Sequence, residues 1–271
     1  MNIKNNTKKL LASLLIAISF VPFGFKINEA FQNNFTTTFA SPSSTIIDHQ
    51  GVDFVKLGNN VYVKKSLYDQ NPNSYNSNAI SQVIENAKRL VKEKVGLDYS
   101  ENARIYIVDD NSTKFLKKGE YAKTYFDENK PKIYIKNIWF FEKGSFTLAH
   151  EEIHADIFKK LGKYYGNLLP SFNEGIATQA DPKDHYNRDG KWFSTEELKK
   201  LYLAEEYPAD NNENLKFYLI HQTLVSLWIK EQGVVVIKKF IDLINSGMSS
   251  KEAFSSLGGD RAFDKLQKMA R

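Results

Sequence analysis

Apolar residues recur at two spacings along this chain, and the change between them divides it into a strand-rich part and a helical part. Apolar and polar residues alternate in a strand with one buried face, whereas apolar positions three or four residues apart form one face of a helix. Alternation predicts strands at 52–57, 61–65, 104–108, 122–126 and 132–136. A turn sequence at 58–60 joins the first two strands and favours a hairpin.

Helical spacing dominates the rest of the chain. It predicts one helix at 80–95, ended by Gly96, and another at 145–161, with Ser145 as its N-cap and Gly162 at its end. Beyond residue 170, apolar residues at helical spacing predict five more segments, at 171–180, 194–205, 213–232, 234–246 and 249–257. Two polar stretches predict a flexible lead-in and a loop, at 41–50 and 71–78. Strands followed by a run of helices are typical of an α+β fold.

The N-terminus carries the pattern of a secretory signal. Three lysines within the first nine residues precede an apolar stretch at 10–25, which is short for a membrane-spanning helix of about 20 apolar residues. We expect residues 1–40 to be a signal peptide cleaved after Ala30 or Ala40, and the alternative is an uncleaved membrane anchor. The expected location is therefore outside the cell or at its surface, and the many Asn, Lys and Ile residues indicate a bacterial protein.

Composition excludes several classes of function. The chain has no Cys, which rules out disulfides, thiolate metal sites, a cysteine nucleophile and a lipoprotein anchor. The formal net charge of +5 includes +3 from residues 1–40, so the remainder is close to neutral. No dense Lys/Arg stripe is interleaved with aromatic residues, and we expect no nucleic-acid partner. We also expect no stable membrane association once the signal is removed, because no other segment is apolar enough to span a bilayer.

The sequence His150-Glu151-Glu152-Ile153-His154 has the form H-E-x-x-H, which occurs on helices that bind zinc. Residues four apart lie about 40° apart around a helix, so both imidazoles point to one side and can share one Zn²⁺. Glu151 lies about 100° round the helix from His150, within reach of a water that the metal activates. The alternative is two surface histidines on an ordinary amphipathic helix.

A catalytic zinc site needs a third protein ligand, and the candidate is Glu174, twenty residues after His154. The alternative is structural, because Ser171 and Glu174 also have the spacing of a capping box, in which Glu174 only closes the start of a helix. Gly175 favours the ligand interpretation. A glycine early in a helix costs about 1 kcal/mol relative to alanine, and it indicates a close approach, here to the histidine helix.

The segments HEEIH and LPSFNEGIA, within residues 150–177, resemble the gluzincin metallopeptidases, and most of all the small bacterial peptidase-MA-like families. Phe172 stands where those families often have Trp. The spacing of the third ligand is also that of thermolysin-like enzymes, although Thr178 stands where these have an Asp. The similarity continues at 218–233, which is like the family's Tyr-bearing helix, and at 247–254; it covers about residues 102–265.

The resemblance implies a two-lobe zincin fold. Its first lobe, at 41–161, is a twisted sheet with the active-site helix, and its second, at 162–271, is helical. One Zn²⁺ per chain would be held by the three metal-site residues, His150, His154 and Glu174.

The resemblance also implies catalytic roles. Glu151 would be the general base, and Tyr218 would donate to the oxyanion of the tetrahedral intermediate. A packed tyrosine whose hydroxyl faces water is the alternative for Tyr218. His221, one turn later, is expected to be a core or surface histidine, and His49 and His185 are expected to be exposed.

Metal-binding histidines usually donate their other N–H to a carboxylate or carbonyl. Asp156 and Asp181 are both possible acceptors. Glu152 is expected on the side of the helix away from the metal, as a structural charge or a supporting group.

These features predict a secreted zinc metallopeptidase that hydrolyses a peptide or protein substrate. The substrate would pair with the backbone of an edge strand, at 122–126 or 132–136. The alternative is a catalytically inactive binding protein of the cell surface that retains the zincin fold.

Overall fold

One mixed sheet contains all the strands of the residues that the computed structural model describes, which are 45–270 without 59, 101–102, 119, 128–129, 183–185, 187–191 and 209. The predicted signal segment and His185 lie outside these residues. The strands are β1 Ile46–Asp48, β2 Asp53–Gly58, β3 Val61–Lys64, β4 Arg104–Val108, β5 Ala122–Asp127 and β6 Lys130–Lys136. Their order is β1-β2-β3-β4-β6-β5, with β3, β4 and β6 parallel and the other neighbours antiparallel.

The predicted strands are confirmed, and one strand was missed. The hairpin forms with Val55 opposite Val63. The flexible lead-in predicted at 41–50 is wrong for β1, where Ile47 pairs with Phe54 of β2. Three residues are too few for an alternation of apolar and polar side chains to identify a strand.

The two faces of the sheet pack against different partners. Alternate residues of β3, β4 and β6 enter the main core, which also contains the helices; they include Val61, Val63, Ile105, Ile107, Ile133 and Ile135. The opposite face forms a smaller core with a loop that follows β4; its members include Phe54, Tyr62, Tyr106, Phe115, Leu116 and Tyr134. The sheet is therefore buried on both faces, and the helices approach it from one side.

His49 is half-buried against residues of the smaller core, so the expectation of an exposed His49 is wrong. Its ring stacks on Tyr106 at 4.5 Å between centroids, and its Nε2 lies 2.6 Å from the hydroxyl of Tyr134. The neighbouring residues in sequence are polar, so the sequence did not indicate that His49 lies against Tyr106 and Tyr134 on one face of the sheet.

The helices of the described residues are α1 Lys65–Gln70, α2 Ser77–Val95, α3 Asn137–Glu142, α4 Gly144–Leu161, α5 Pro170–Ala177, α6 Thr195–Leu201, α7 Asn211–Gln232, α8 Val235–Asn245, α9 Ser250–Ser256 and α10 Gly259–Met269. Three-residue-per-turn helices lie at Pro72–Tyr75, Gly162–Asn167 and Thr178–Ala180. The long predicted helices are confirmed, whereas α1, α3, α10 and the turn at 72–75 were not predicted. We call α4 the histidine helix and α5 the glutamate helix.

Ser145 is not the N-cap of the histidine helix, so that prediction is wrong. The helix begins at Gly144, and Lys143 occupies the cap position without a side-chain hydrogen bond. The carbonyl of Lys143 accepts the N–H groups of Phe146 and Thr147, which places Ser145 inside the first turn. The preceding short helix α3 fixes this start, because its last turn already ends at Lys143.

The histidine helix lies between the sheet and the C-terminal helices. On one side Gly144 packs on Val83 of α2. Phe172 of the glutamate helix contacts the rings of Phe240 and Phe254, at 5.0 and 4.9 Å between centroids. Residues Ser43–Arg271 form one compact unit. Within its described part, none of the helices has the length and apolar character that crossing a bilayer requires.

Candidate metal centre

Two histidines of the histidine helix and one glutamate of the glutamate helix direct three ligand atoms to one point. His150 and His154 lie one turn apart, with 3.2 Å between their Nε2 atoms. Oε2 of Glu174 lies 3.4 Å from Nε2 of His150 and 3.5 Å from Nε2 of His154. His154 and Glu174 are buried, and His150 is nearly so. This group could hold a metal ion.

Glu174 does not close a capping box, so the structural alternative for it is wrong. The glutamate helix begins at Pro170, with Leu169 in the cap position, and Ser171 therefore lies inside the first turn. The hydroxyl of Ser171 is buried without a hydrogen-bond partner among the described residues. The carboxylate of Glu174 is thus available to the two histidines.

Gly175 permits a close contact, but its partner is α7 and not the histidine helix as expected. A Cβ atom at Gly175 would lie 2.9 Å from Cγ2 of Val225 and 3.0 Å from the backbone oxygen of His221. Real Cβ atoms essentially never approach so closely, so only glycine lets the glutamate helix and α7 pack at this distance. The close packing fixes the position from which Glu174 reaches the histidines.

The other ring nitrogen of each histidine has its own acceptor. Nδ1 of His150 lies 3.0 Å from Oδ2 of Asp181, and Nδ1 of His154 lies 3.0 Å from Oδ1 of Asn173. Both oxygens only accept, so the hydrogens sit on Nδ1 and leave the Nε2 lone pairs for a cation. Asp156, the other candidate acceptor, lies instead 3.5 Å from Nζ of Lys160.

Further hydrogen bonds hold these acceptors. The hydroxyl of Tyr186 donates to Oδ2 of Asp181 at 2.7 Å, and Nδ2 of Asn173 donates to the hydroxyl of Tyr165 at 3.1 Å. Tyr207, whose side chain is half exposed, donates to Oε1 of Glu174 at 2.8 Å. Oε1 is therefore occupied, and Oε2 is the glutamate oxygen that faces the histidines.

The electrostatics of the group favour a positive charge at its centre. Burial opposes the charged form of His150, but Asp181 and Glu174 outweigh burial and hold the pKa of His150 well above its usual range. Burial alone would raise the pKa of Glu174, but His154 and His150 hold it well below its usual range. The negative groups Asp181 and Glu174 stabilise positive charge on the histidines. A metal cation bound at the same place would be stabilised by the same two carboxylates.

Glu151 lies next to His150 and is largely buried. The hydroxyl of Thr124, on β5, lies 2.6 Å from Oε2 of Glu151 and 3.1 Å from its backbone oxygen. The sheet and the histidine helix therefore meet at the side chain of Glu151.

Tyr218 lies on α7 near the group, and its ring stacks on Tyr186 at 5.1 Å between centroids. The negative charge of Glu174, together with burial and Glu151, raises the pKa of Tyr218, so its phenol keeps its proton. A neutral phenol is a hydrogen-bond donor, which is what the predicted role requires.

His221 is a core histidine, as one of the two expectations had it. It is fully buried, and its Nδ1–H donates to the backbone oxygen of Phe217 at 2.8 Å. Burial lowers its pKa to about 4.

Glu152 is also fully buried, and burial raises its pKa to about 8.

The sequence did not point to Asn173, Thr124 or Tyr207. The only feature that could have indicated Asn173 is its position directly before Glu174. Thr124 and Tyr207 reach the centre from a strand and a loop that are distant in sequence, and spacing carries no sign of them.

No model of a known protein family matches this chain, and no curated protein matches it.

Proposed function

We propose that the protein is a zinc-dependent metallopeptidase of the gluzincin type that acts outside the cell or at its surface. One observation carries the proposal: Nε2 of His150, Nε2 of His154 and Oε2 of Glu174 converge, and Glu151 follows His150 on the histidine helix. Three protein ligands with a neighbouring carboxylate are the composition of a catalytic zinc site, which keeps one position open.

The distances between the three ligand atoms fit a tetrahedral site, which is the geometry that zinc prefers. Bonds of about 2.0–2.2 Å in a tetrahedral site place its ligands about 3.3–3.6 Å apart. An octahedral site with bonds of about 2.1 Å places neighbouring ligands about 3.0 Å apart. The three separations are 3.2, 3.4 and 3.5 Å, which fits the tetrahedral site better. The two nitrogen–oxygen separations, 3.4 and 3.5 Å, are also longer than a usual N–H···O hydrogen bond of about 2.9 Å, so direct hydrogen bonding does not account for the spacing.

The chain supplies the groups that peptide hydrolysis requires. Zinc held by His150, His154 and Glu174 would supply Lewis acidity, which lowers the pKa of a water molecule to about 7. Glu151 accepts a proton from the attacking water as the new C–O bond forms, and it then gives this proton to the amide nitrogen, which leaves as the C–N bond breaks. Tyr218, kept neutral, donates a hydrogen bond to the carbonyl oxygen on which negative charge develops.

The position of β5 supports a peptide as the substrate. β5 ends the order of the sheet among the described residues, and Thr124 of this strand contacts Glu151. A peptide that adds to the free edge of β5 would run past the candidate base, with its backbone held by strand hydrogen bonds. The sheet with the histidine helix, followed by helices that carry Glu174 and Tyr218, agrees with the two-lobe zincin arrangement that we propose.

The proposal is tested by incubating the zinc-loaded protein with a complex mixture of peptides and identifying new termini by mass spectrometry. We expect defined bonds to be cleaved, and Glu151→Gln to reduce the rate by about 10²–10⁴-fold with zinc retained. Glu152→Gln, the same substitution at the buried neighbouring residue, is the control and should cleave at close to the wild-type rate.

Two results would count against this function. Glu151→Gln cleaving as fast as the wild type would exclude the mechanism. No cleavage by a fully zinc-loaded wild type would favour the alternative, a binding protein of the same fold.

A further inference from the structure

The hydroxyl of Thr124 has a defined direction. Its two contacts are Oε2 of Glu151 at 2.6 Å and the backbone oxygen of Glu151 at 3.1 Å. A carboxylate and a carbonyl only accept, so Thr124 is the donor in whichever contact its single hydrogen makes. A length of 2.6 Å lies in the range of a hydroxyl that donates to a charged oxygen, about 2.5–2.7 Å. The hydrogen therefore points to the carboxylate.

The position of this hydroxyl is set by packing on both sides. Thr124 lies opposite Ile133 in the pairing of β5 with β6. Two residues along β5, Phe126 faces the same side and stacks on Phe158 of the histidine helix, with 3.9 Å between ring centroids. The branched side chain of a threonine has few rotamers, so the strand and the helix together fix where its hydroxyl lies.

We propose that Thr124 is a positioning residue for hydrolysis, which holds Oε2 of Glu151 so that Oε1 is the oxygen that accepts the proton of the attacking water. This inference rests on the proposed function. β5 would then have two functions: its free edge would pair with the substrate backbone, and its Thr124 would orient Glu151. A displacement of about 1 Å of a catalytic group can reduce a rate about 100-fold, so the hydrogen bond has a large effect on catalysis for a small structural change.

Two substitutions at Thr124 separate the hydroxyl from the rest of the side chain. Thr124→Val keeps the branched shape and removes the donor, and Thr124→Ser keeps the donor. We expect Thr124→Val to lower kcat about 10–100-fold, with KM within about twofold and zinc content unchanged, because the interaction acts on the base and not on substrate binding. Thr124→Ser should stay within about threefold of the wild type.

Thr223→Val is the matched control. Its hydroxyl donates to the backbone oxygen of Leu219 on α7, so the same chemical change is made at another half-buried threonine. We expect kcat of Thr223→Val to equal that of the wild type. If Thr124→Val does not fold, Thr124→Ala removes the same donor without adding a methyl group and takes its place.

Crystal structures of the wild type, Thr124→Val and Thr124→Ser give a measurement that does not depend on activity. We expect the carboxylate of Glu151 to rotate away in Thr124→Val and to keep its position in Thr124→Ser. A carboxylate that stays in place in Thr124→Val, an unchanged kcat, or equal losses for valine and serine would each overturn the inference. A zinc-loaded wild type without any hydrolysis would overturn the proposed function instead, and the structures would still decide whether Thr124 orients Glu151.

Discussion

His154 and Asn173 are joined by a hydrogen bond of 3.0 Å between Nδ1 of the ring and Oδ1 of the amide. The contact couples the helix that carries two candidate ligands to the helix that carries the third, because Asn173 directly precedes Glu174. It also fixes the imidazole in the form that presents an Nε2 lone pair. The two helices therefore orient each other's ligands.

Asn173→Ala should weaken zinc binding about 10–100-fold, because it removes the acceptor that holds the ring of His154. Competition with a chelator of known affinity measures the effect. Asn137→Ala is the control: Asn137 also accepts a side-chain hydrogen bond, from the hydroxyl of Tyr75 in the helix at Pro72–Tyr75, and zinc affinity should not change. Equal affinities for Asn173→Ala and the wild type would exclude a role of this contact in metal binding.

Asp181→Asn should lower zinc affinity by a similar factor, because it removes the negative charge that faces Nδ1 of His150. Asp156→Asn changes the other carboxylate that follows the motif in sequence, whose partner is Lys160. We expect its zinc affinity to equal that of the wild type. The reverse pattern, in which Asp156→Asn loses zinc and Asp181→Asn keeps it, would contradict the described geometry.

Gly175→Ala should destabilise the fold by about 1–3 kcal/mol, because its methyl group would overlap Val225 and the backbone of His221. Denaturant unfolding measures the free energy. Gly166→Ala is the control, since a Cβ at Gly166 would meet no atom from elsewhere in the described chain within 4 Å. Equal stability of the two variants would show that the glutamate helix and α7 do not approach as closely as described.

His221 should make stability fall in acid. Its pKa is about 4 in the folded protein, because the ring is buried, against 6.5 when unfolded. Below pH 6.5 the unfolded chain takes up a proton that the folded protein refuses until about pH 4. The stabilisation is therefore complete above pH 6.5 and is lost as the pH falls to about 4, by about 3 kcal/mol in total.

The comparison of the wild type with His221→Gln isolates this effect from other titrating groups. We expect the difference in free energy of unfolding between the two proteins to be constant from pH 8 to about 7. As the pH falls towards 4, the wild type should lose up to about 3 kcal/mol of stability relative to His221→Gln. A difference that does not change with pH would mean that His221 is not buried as a neutral ring.

Local patterns predicted the parts of the molecule that depend on local geometry. The spacing of His150 and His154 places them on one side of a helix wherever that helix packs, and the long helices and strands follow their apolar periodicity. Glu174 was found as a third ligand at a plausible spacing after His154, with Gly175 beside it, and the family resemblance then agreed with it. Even a local prediction can fail. Ser145 was predicted as the N-cap, but the histidine helix begins at Gly144, directly after α3 ends.

Contacts between distant segments were not predictable from spacing. Thr124 meets Glu151 because β5 lies over the histidine helix, and Tyr207 meets Glu174 because a loop returns to the centre. Gly175 indicated a close approach correctly, but its partner depended on the packing of α7. A single sequence records that a position is unusual without recording which residue it contacts.

The most direct test of the central claim is the metal content of the purified protein beside that of the His150→Ala/His154→Ala variant, measured after dialysis against zinc at neutral pH. We expect one tightly bound zinc per wild-type chain and none in the folded variant. A folded wild type that binds no zinc, or a variant that retains it, would contradict the assignment of His150, His154 and Glu174 as a metal site.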